Sequence, residues 1–460
     1  MQAKKLGRDL TQGKVAPQLL RFSVPFVLAT LLQTVYNLVD AVVVGHFVGT
    51  DGLSSVSGAG ELIQLYTFIA IGFGGAGQTL IGQFVGAKDW KNVQKTVGTL
   101  FTLLMLSALV VTAFCVVTAR LQIGWINLPE EAVQGGVSYL TVCAAGMVFI
   151  FGYNMVSSVL RGMGDSKRPL IFIAVASVVN LVLDLLFVAV FEWGALGAGL
   201  ATVMGQAISF FSALVYLFRN RVAFGFDFQP ASFIPRRNIL AALLRLGVPL
   251  AIQGGLINVS MIYVSTQINA FGVAASAANG IHLKLNGVVR IGSNSLSQAG
   301  SAMIAQCMGA KKQERVKQVF RCILTFGTIY CAFCAVAIFF FPRQIFGLFN
   351  TDSAVLDYAV IYSVIGAVEC FGFALRAPCF AVTNGTGAAT LGMTAGLVDG
   401  VVARIGFSML FGNILGMGVS GYWLGNMVAG FFNVLITGPY YLSGLWKRKG
   451  ALVKEEKTTS

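Results

Sequence analysis

Residues 21–49 read RFSVPFVLATLLQTVYNLVDAVVVGHFVG, and this stretch decides the class of the fold. From Phe22 to Val44 the residues are apolar over a length that spans a bilayer, which takes about 20 residues in a helix. One acid, Asp40, lies inside this apolar run. An ionisable group in a membrane helix costs roughly 3 kcal/mol on insertion scales, so Asp40 is a candidate functional residue. The alternative is a structural carboxyl that is hydrogen-bonded to a neighbouring helix.

The composition extends this interpretation to the whole chain. Of its 460 residues, 56% are hydrophobic and only 11% are charged, whereas a soluble domain has about 25% charged residues. We therefore expect an all-α polytopic membrane protein. The apolar runs predict twelve spans, at residues 19–44, 53–84, 93–119, 132–160, 169–191, 196–218, 239–271, 277–308, 316–341, 355–382, 388–411 and 415–441. Pro25 and Pro249 lie inside spans one and seven and are expected kink sites, with Pro25 the candidate hinge.

The distribution of basic residues predicts the orientation in the membrane. The formal net charge is +14, and Lys and Arg concentrate in the tails and in the loops that follow even-numbered spans. The opposite loops hold only Arg120 and Arg343. This asymmetry predicts cytoplasmic termini in a cell (inner) membrane, with a tail at 1–18 and another at 442–460. The excess charge then reflects topology and contact with membrane lipid, and it does not indicate nucleic-acid binding.

An internal repeat divides the chain into two halves. LLRFSVP at residues 19–25 recurs as LLRLGVP at 243–249, and QFVGAKD at 83–89 recurs as QCMGAKK at 306–312. A third match joins Leu196-Gly197 to Leu415-Gly416, so the offsets are 224, 223 and 219. Six spans per half make the repeats parallel, an architecture known among transporters. We expect lobes at 19–218 and 239–441, joined by a cytoplasmic linker at 219–238 and surrounding a central cavity.

Polar residues in the first repeat form a candidate ion site. Tyr36 and Asn37 precede Asp40 by four and three residues, which predicts one helical face, and Asn180 and Asp184 are also four apart. At 1.5 Å per residue, the acids lie roughly 7 and 12 Å below the outer ends of their spans.

Two further residues join this site. Thr202 is predicted at a depth of roughly 9 Å, and Glu61 at a similar depth. Carboxylates that share a desolvated site favour the uptake of a proton. The same oxygens could instead hold a small hard cation such as Na⁺, so the sequence leaves H⁺ and Na⁺ open.

With these residues the chain resembles the multidrug and toxic compound extrusion (MATE) family of cation-coupled exporters over roughly residues 15–445. The resemblance rests on Pro25, Asp40, Gly45, GAKD at 86–89, RGMGDSKRP at 161–169, Asn180, Asp184 and ALGAGLAT at 195–202. It implies two six-helix bundles around a central cavity, and antiport that exports cationic, amphipathic compounds. It also implies that Asp40, Asn180 and Asp184 form the cation site, as in the branch with these residues on helices one and five.

The second repeat carries a different set of polar residues. Another branch of the family uses acids on helices seven and ten, but span seven has no acid here. The candidate cavity or ion-pair residues are Glu61 in the first repeat and, in the second, Asn258, Lys284, Arg290, Glu369, Arg376, Asp399 and Arg404. Buried charges usually pair, which favours structural ion pairs over a cavity lining. By the offset of 219, Asp399 occupies the repeat position of Asn180.

Several other function classes were weighed. Gly72–Thr79 matches G-x-G-x-x-G, but it has no lysine and lies within a span, so close helix packing is the preferred interpretation. The chain has only two histidines and no metal-ligand spacing, which counts against an enzyme or a bound cofactor. A closed central site counts against a channel. The preferred hypothesis is a monomeric antiporter for small molecules. The alternative is a flippase for lipid-linked or anionic amphiphilic substrates, because Lys284, Arg290 and Arg376 could bind phosphate groups.

Overall fold

The computed structural model describes residues 8–126, 128–221, 226–448 and 452, and long helices account for most of them. The first half contains α1 (Val15–Phe47), α2 (Thr50–Gly86), α3 (Trp90–Trp125), α4 (Glu130–Ala145), α5 (Met147–Gly162), α6 (Lys167–Asp184) and α7 (Gly194–Arg219). The second half contains α8 (Arg237–Asn269), α9 (Val273–Gly309), α10 (Gln313–Phe340), α11 (Pro342–Gly347), α12 (Ser353–Gly385), α13 (Ala389–Leu397), α14 (Gly406–Met409) and α15 (Gly418–Leu442). Parts of the predicted tails and of the linker at 219–238 lie outside the described residues.

The predicted all-α fold of twelve membrane-spanning helices is confirmed. Within the described residues, ten helical segments are long and apolar enough to cross a membrane. Helices α4 and α5 together form an eleventh span, with a bend of 48° between them. Gly146 lies at this bend, where a Cβ would be 2.5 Å from Val203 Cγ2. The remaining span is α9, a helix of 37 residues that is more polar than the others and has buried His282 and Asn286 along it.

The chain forms two compact units. The first is built mainly from Val24–Ala251, and the second from Leu10–Ser23 together with Ile252–Leu452. Two helices therefore change unit along their length, α1 after Ser23 and α8 after Ala251. Each helix carries its internal proline, Pro25 or Pro249, within two residues of that change. The lobes and the linker given by the sequence stay a prediction, since these compact units divide the chain at other residues.

Residues with left-handed backbone conformations confirm that the two halves repeat. Gly49 and Gly272 have φ of 86° and 104°, and Lys88 and Lys311 have φ of 61° and 57°. Glycines 164 and 387, with φ of 85° and 72°, form another pair at the same offset of 223 residues. A turn that needs positive φ is energetically costly for most residues, so these matched pairs indicate matched turns.

The predicted offset of 219 in the last third of each repeat is wrong. A Cβ on Gly197 would lie 3.0 Å from the carbonyl oxygen of Phe187, and one on Gly421 would lie 2.5 Å from that of Phe411. Gly197 and Gly421 are 224 residues apart, and so are Phe187 and Phe411. The identical Leu-Gly dipeptides had suggested that Gly416 is the counterpart of Gly197. At the corrected offset, the counterpart of Asn180 is Arg404, and it is not Asp399.

A π-helical segment recurs near the end of each repeat. One follows α6 at Leu185–Val190, and its counterpart by the offset of 224 is the segment Leu410–Ile414. A further π-helical segment, Val398–Ile405, contains Asp399 and Arg404. Segments of this kind are rare and occur often at functional sites. The sequence analysis treated both regions as ordinary helix, because no residue pattern marks the change.

The glycines of α2 bring other helices close to it. A Cβ on Gly72 would lie 2.6 Å from the backbone nitrogen of Ala251, and one on Gly77 would lie 2.3 Å from Leu100 Cδ2. The G-x-G-x-x-G match thus lies in a packed helix. This agrees with the interpretation of these glycines as packing residues.

Candidate functional site

Two helices of the first unit bring the predicted acids together. Asp40 is on α1, and its Oδ1 atom is buried. Asn180 and Asp184 lie one turn apart on α6, and both side chains are almost fully buried. Asp184 is also the last residue of α6 before the π-helical segment. The Asp184 carboxyl group interacts directly with that of Asp40 and lies beside the Asn180 amide.

The oxygen atoms at this site are buried without hydrogen-bond partners. Within the described part of the chain, this holds for Asp40 Oδ1, both carboxyl oxygens of Asp184, Asn180 Oδ1 and Thr202 Oγ1. The groups face one another at distances or angles outside those of a hydrogen bond. An unsatisfied buried polar atom costs about 1–3 kcal/mol, so such a cluster needs an explanation. Oxygen ligands of this kind suit a proton or a hard cation.

Two tyrosines border the cluster. Tyr36 and Tyr139 both lie close to the Thr202 hydroxyl, and both interact with Asp40. Tyr36 is a predicted site residue, whereas Tyr139 on α4 was missed. Nothing in its surrounding sequence separates Tyr139 from the other tyrosines. Its burial next to residues of α1 and α7 appears only in the fold.

Asn37, a predicted residue of this site, and Glu61, a predicted cavity or ion-pair residue at similar depth, lie outside the buried cluster. Both side chains are exposed. Each residue rotates a helix by about 100°, so the positions three and four before Asp40 lie on opposite sides of it. Only Tyr36 is then turned towards α6. Depth along a span says nothing about direction around the helix, which explains why Glu61 was included.

Gly205 sets the distance between α6 and α7 at this level. A Cβ at this position would lie 3.1 Å from both the carbonyl oxygen of Ala176 and the Cβ atom of Asn180. Both contacts are tighter than ordinary van der Waals contact. The absence of a side chain on α7 therefore lets Asn180 lie at the helix interface.

The polar residues of the second unit form a separate, charged network. Asp399 is fully buried and pairs with Arg404, with Oδ1 2.7 Å from Nη2. Its Oδ2 atom lies 3.4 Å from Nη1 of Arg376. Arg404 also donates a hydrogen bond to Oδ1 of Asn426. Asp399 thus holds two guanidinium groups.

Glu369 is held by amides. Its Oε1 atom accepts hydrogen bonds from Nδ2 of Asn286 at 3.0 Å and from Nδ2 of Asn426 at 2.8 Å. Asn286 also accepts a hydrogen bond of 3.2 Å from the Tyr362 hydroxyl. The sequence analysis missed both asparagines. His282 and Asn286, four residues apart on the most polar span, were the signal that could have found this network.

Arg290 is the guanidinium of this network that lacks an acidic partner. Within the described residues it forms no ion pair, and its Nη1 atom lies 3.6 Å from Met261 Sδ. It lines a pocket that is partly open to its surroundings, together with Glu369, Arg376 and Arg404.

The other two predicted residues are elsewhere. Lys284 is exposed, with Nζ 5.3 Å from the ring centroid of Phe349. Asn258 is half-buried on α8.

Side chains that commonly bind metal ions were compared for a shared arrangement in the described residues. In the parts of the chain that the structure describes, no group of three or more His, Cys, Asp or Glu side chains is arranged to hold a metal ion. The cluster around Asp40 has two carboxyl groups, and its other ligands would be amide and hydroxyl oxygens.

Comparison with protein families now identifies the fold. The MatE family model matches residues 25–186 and again residues 249–410. The chain belongs to the MatE family. The two matches begin at Pro25 and Pro249 and are offset by 224 residues at both ends, which agrees within one residue with the repeat seen in the structure.

Relatives of this MatE chain are named as multidrug resistance proteins. The probable multidrug resistance protein YpnP of Bacillus subtilis is 28% identical over 449 residues, which cover 95% of this chain and 97% of the relative. Such relatives and the apolar helices make this MatE chain a multi-pass membrane transporter.

Two solved structures share its fold. An outward-facing multidrug resistance MATE family transporter is 21% identical, with a TM-score of 0.87, and the match covers 97% of this chain and 98% of the other. A MOP superfamily transporter from Pyrococcus furiosus, described as having a binding pocket of reverse polarity, is 21% identical with a TM-score of 0.88. That match covers 95% of this chain and 98% of the other.

Proposed function

We propose that this MatE chain is a secondary-active antiporter that exports cationic, amphipathic compounds in exchange for H⁺ or Na⁺. The observation that carries the proposal is the pair of carboxyl groups of half-buried Asp40 and buried Asp184. Asp40 Oδ1 and both carboxyl oxygens of Asp184 are buried atoms without hydrogen-bond partners in the described chain. Names of multidrug export among the relatives support the direction of transport. Both termini face the cytoplasm of the cell membrane in this proposal.

Cation binding drives the exchange through charge neutralisation. A cation that enters from outside binds between Asp40 and Asp184, with Asn180 and Thr202 as further oxygen ligands. Binding removes the repulsion between two buried carboxylates and favours the conformation that releases substrate outward. When the cation leaves to the cytoplasm, the carboxylates must be solvated or paired again. An uncompensated buried charge costs several kcal/mol, which is enough to shift a two-state equilibrium by orders of magnitude.

Pro25 is the proposed hinge of this change. It lies inside α1, fifteen residues before Asp40, and next to the point where α1 passes between compact units. A proline inside a helix removes one backbone hydrogen bond, which lowers the cost of bending there. Occupation of the Asp40 site would bias the bend.

The test is export of ethidium by purified protein in proteoliposomes, with a pH gradient and a Na⁺ gradient imposed separately. The wild type should respond to at least one gradient, which identifies the coupling ion. Asp40→Asn mimics the protonated carboxyl permanently, so it should bind ethidium but lose gradient-driven export. Asp51→Asn, which removes an exposed carboxyl at the start of α2, is the matched control. Normal gradient-driven export by folded Asp40→Asn protein would falsify the proposed site.

The alternative function is a flippase for lipid-linked or anionic amphiphilic substrates. The observation that favours it is Arg290, which lines a pocket without an acidic partner. A flippase would move a fluorescent anionic lipid across the proteoliposome bilayer, and ethidium would not compete with it.

A further inference from the structure

The second unit reverses the chemistry of the candidate cation site at the related positions. At the offset of 224, Asp40 corresponds to Val264, Asn180 to Arg404 and Asp184 to Ser408. These three positions thus include two acids in the first repeat, whereas in the second repeat they include no acid and one guanidinium group. The arginines that line the pocket lie around this position.

This region has one more positively charged side chain than negatively charged ones. The guanidinium groups of Arg290, Arg376 and Arg404 interact with one another and with the carboxyl groups of Glu369 and Asp399. Even with both acids ionised, three positive groups face two negative ones. Asp399 is already shared by two arginines, and the nearest polar contacts of Glu369 are amides. Arg290 therefore has no anion to neutralise it within the described chain.

The pocket walls add an apolar character. Ile257, Met261, Phe373 and Met427 line the same space as Arg290, and Gly372 and Gly430 leave room at its edge. A guanidinium group binds an oxyanion through two parallel hydrogen bonds, and methionines adapt to apolar surfaces of different shapes. The combination suits an apolar body with one oxyanion group.

We infer that the pocket at Arg290 binds small amphipathic oxyanions, with a carboxylate group on Arg290 and the apolar body against Met261, Met427 and Phe373. This site goes beyond the proposed function, because it adds a ligand class that the cationic substrates do not include. It is also independent of Asp40, which lies in the other unit. An anionic ligand completes the charge balance of a network that the protein's own acids leave positive.

The test compares two ligands that share one apolar body, one with a negatively charged carboxylate and one with a neutral amide. Binding of naphthalene-1-acetate and of its neutral amide, naphthalene-1-acetamide, is measured by calorimetry on the full chain in uncharged detergent. We expect the acid to bind at least about tenfold more tightly than the amide, the least that one charge-assisted hydrogen bond contributes. Arg290→Gln should remove this preference. Lys284→Gln is the control, since it removes a cation from the same helix outside the pocket lining.

Stability separates a binding role from a structural one. Arg290→Gln removes a charge without an acidic partner, so it should leave the melting temperature unchanged or raised. Naphthalene-1-acetate should raise the melting temperature of the wild type and leave that of Arg290→Gln where it was. A lowered melting temperature with an unchanged acid affinity would mean that Arg290 is structural and would overturn the inference. Equal affinities of acid and amide for the wild type would do the same.

Two further measurements identify the source of the oxyanion and test whether this pocket is independent of Asp40. The first measures whether lipids displace naphthalene-1-acetate. If phosphatidylglycerol displaces it and phosphatidylcholine does not, an anionic lipid headgroup is a ligand of the same pocket. Asp40→Asn protein should bind naphthalene-1-acetate as the wild type does. Loss of export in that variant with retained anion binding distinguishes the two proposals, so either can fail alone.

Discussion

Gly205 shows how one missing side chain shapes the candidate cation site. The Cβ of Asn180 lies against it, at a distance of 3.1 Å that a methyl group could occupy only if a neighbouring atom shifted. Replacement with alanine normally favours a helix, because glycine loses more conformational freedom on folding. Here the added methyl would meet the backbone of α6 first.

We expect Gly205→Ala to lower stability by about 1–3 kcal/mol, the usual cost of overpacking. It should also weaken cation binding, because Asn180 must move. Gly60→Ala is the control, since a Cβ there has no atom within 4 Å. That variant should be slightly more stable than the wild type. Thermal unfolding of both variants measures the difference, and a Gly205→Ala protein as stable as Gly60→Ala would contradict this account.

The sequence predicted the acids of the site but not their surroundings. Asp40 and Asp184 stand out because an acid inside an apolar span is costly and therefore rare. Asn180 followed from its spacing to Asp184. Tyr139 carries no such signal, and Asn37 failed because spacing alone does not say which side of Asp40 is buried.

At the scale of helices, the segment before α1 is held by hydrogen bonds, four of which come from one arginine, while Lys312 donates another to the carbonyl oxygen of Thr11 at 2.9 Å. Arg315 donates hydrogen bonds to the carbonyl oxygens of Leu10, Gln12 and Gly13 at 3.0, 2.9 and 2.6 Å. It also donates one of 2.6 Å to Gln18 Oε1. The backbone N–H of Leu10 donates to the side chain of a buried glutamine at 3.0 Å.

Arg315→Ala should release this segment. Four hydrogen bonds from one charged group are lost, so backbone amides of residues 8–18 should exchange with deuterium at least about tenfold faster. Hydrogen-exchange mass spectrometry on the corresponding peptide measures this. Arg321→Ala, an exposed arginine farther along α10, is the control and should leave exchange unchanged. Unaltered exchange in Arg315→Ala would contradict this role and would mean that the segment is held by its other contacts, such as buried Leu10 and the hydrogen bond from Lys312.

The sequence predicted where the helices lie, but it did not predict where they bend or change to π-helix. Long apolar runs predicted every span, because the bilayer demands about 20 apolar residues for each crossing. The bend at Gly146 and the π-helical segment after Asp184 depend on which side chains meet across helices. A single glycine or a single extra residue per turn leaves no periodic trace in the sequence.

At the scale of the whole molecule, the charge asymmetry gives a topology that labelling can test. Cysteines at Thr50 and Lys91 are placed singly in a background without the eight natural cysteines. Both positions are exposed in the structure. A membrane-impermeant maleimide added outside intact cells should label position 50 and miss position 91. Permeabilised cells should label both, as the control. The reverse pattern in intact cells would contradict cytoplasmic termini.

The repeat was visible in the sequence, but its register was not. Two motifs gave offsets of 224 and 223, while a common dipeptide gave 219 for the third. The close contact of Gly421 with Phe411 fixed the register, because it reproduces that of Gly197 with Phe187. This correction moved the counterpart of Asn180 from an acid to an arginine.

The passage of α1 and α8 from one compact unit to the other has a consequence for how the two halves depend on each other. If the coding sequence were divided between residues 221 and 226, the first fragment would keep Leu10–Ser23, which belongs to the second unit. The second fragment would keep the start of α8, which belongs to the first. Neither product would contain all of its own unit. Each unit is thus complete only when both halves of the chain are present, because each half supplies its N-terminal segment to the unit that the other half mainly builds.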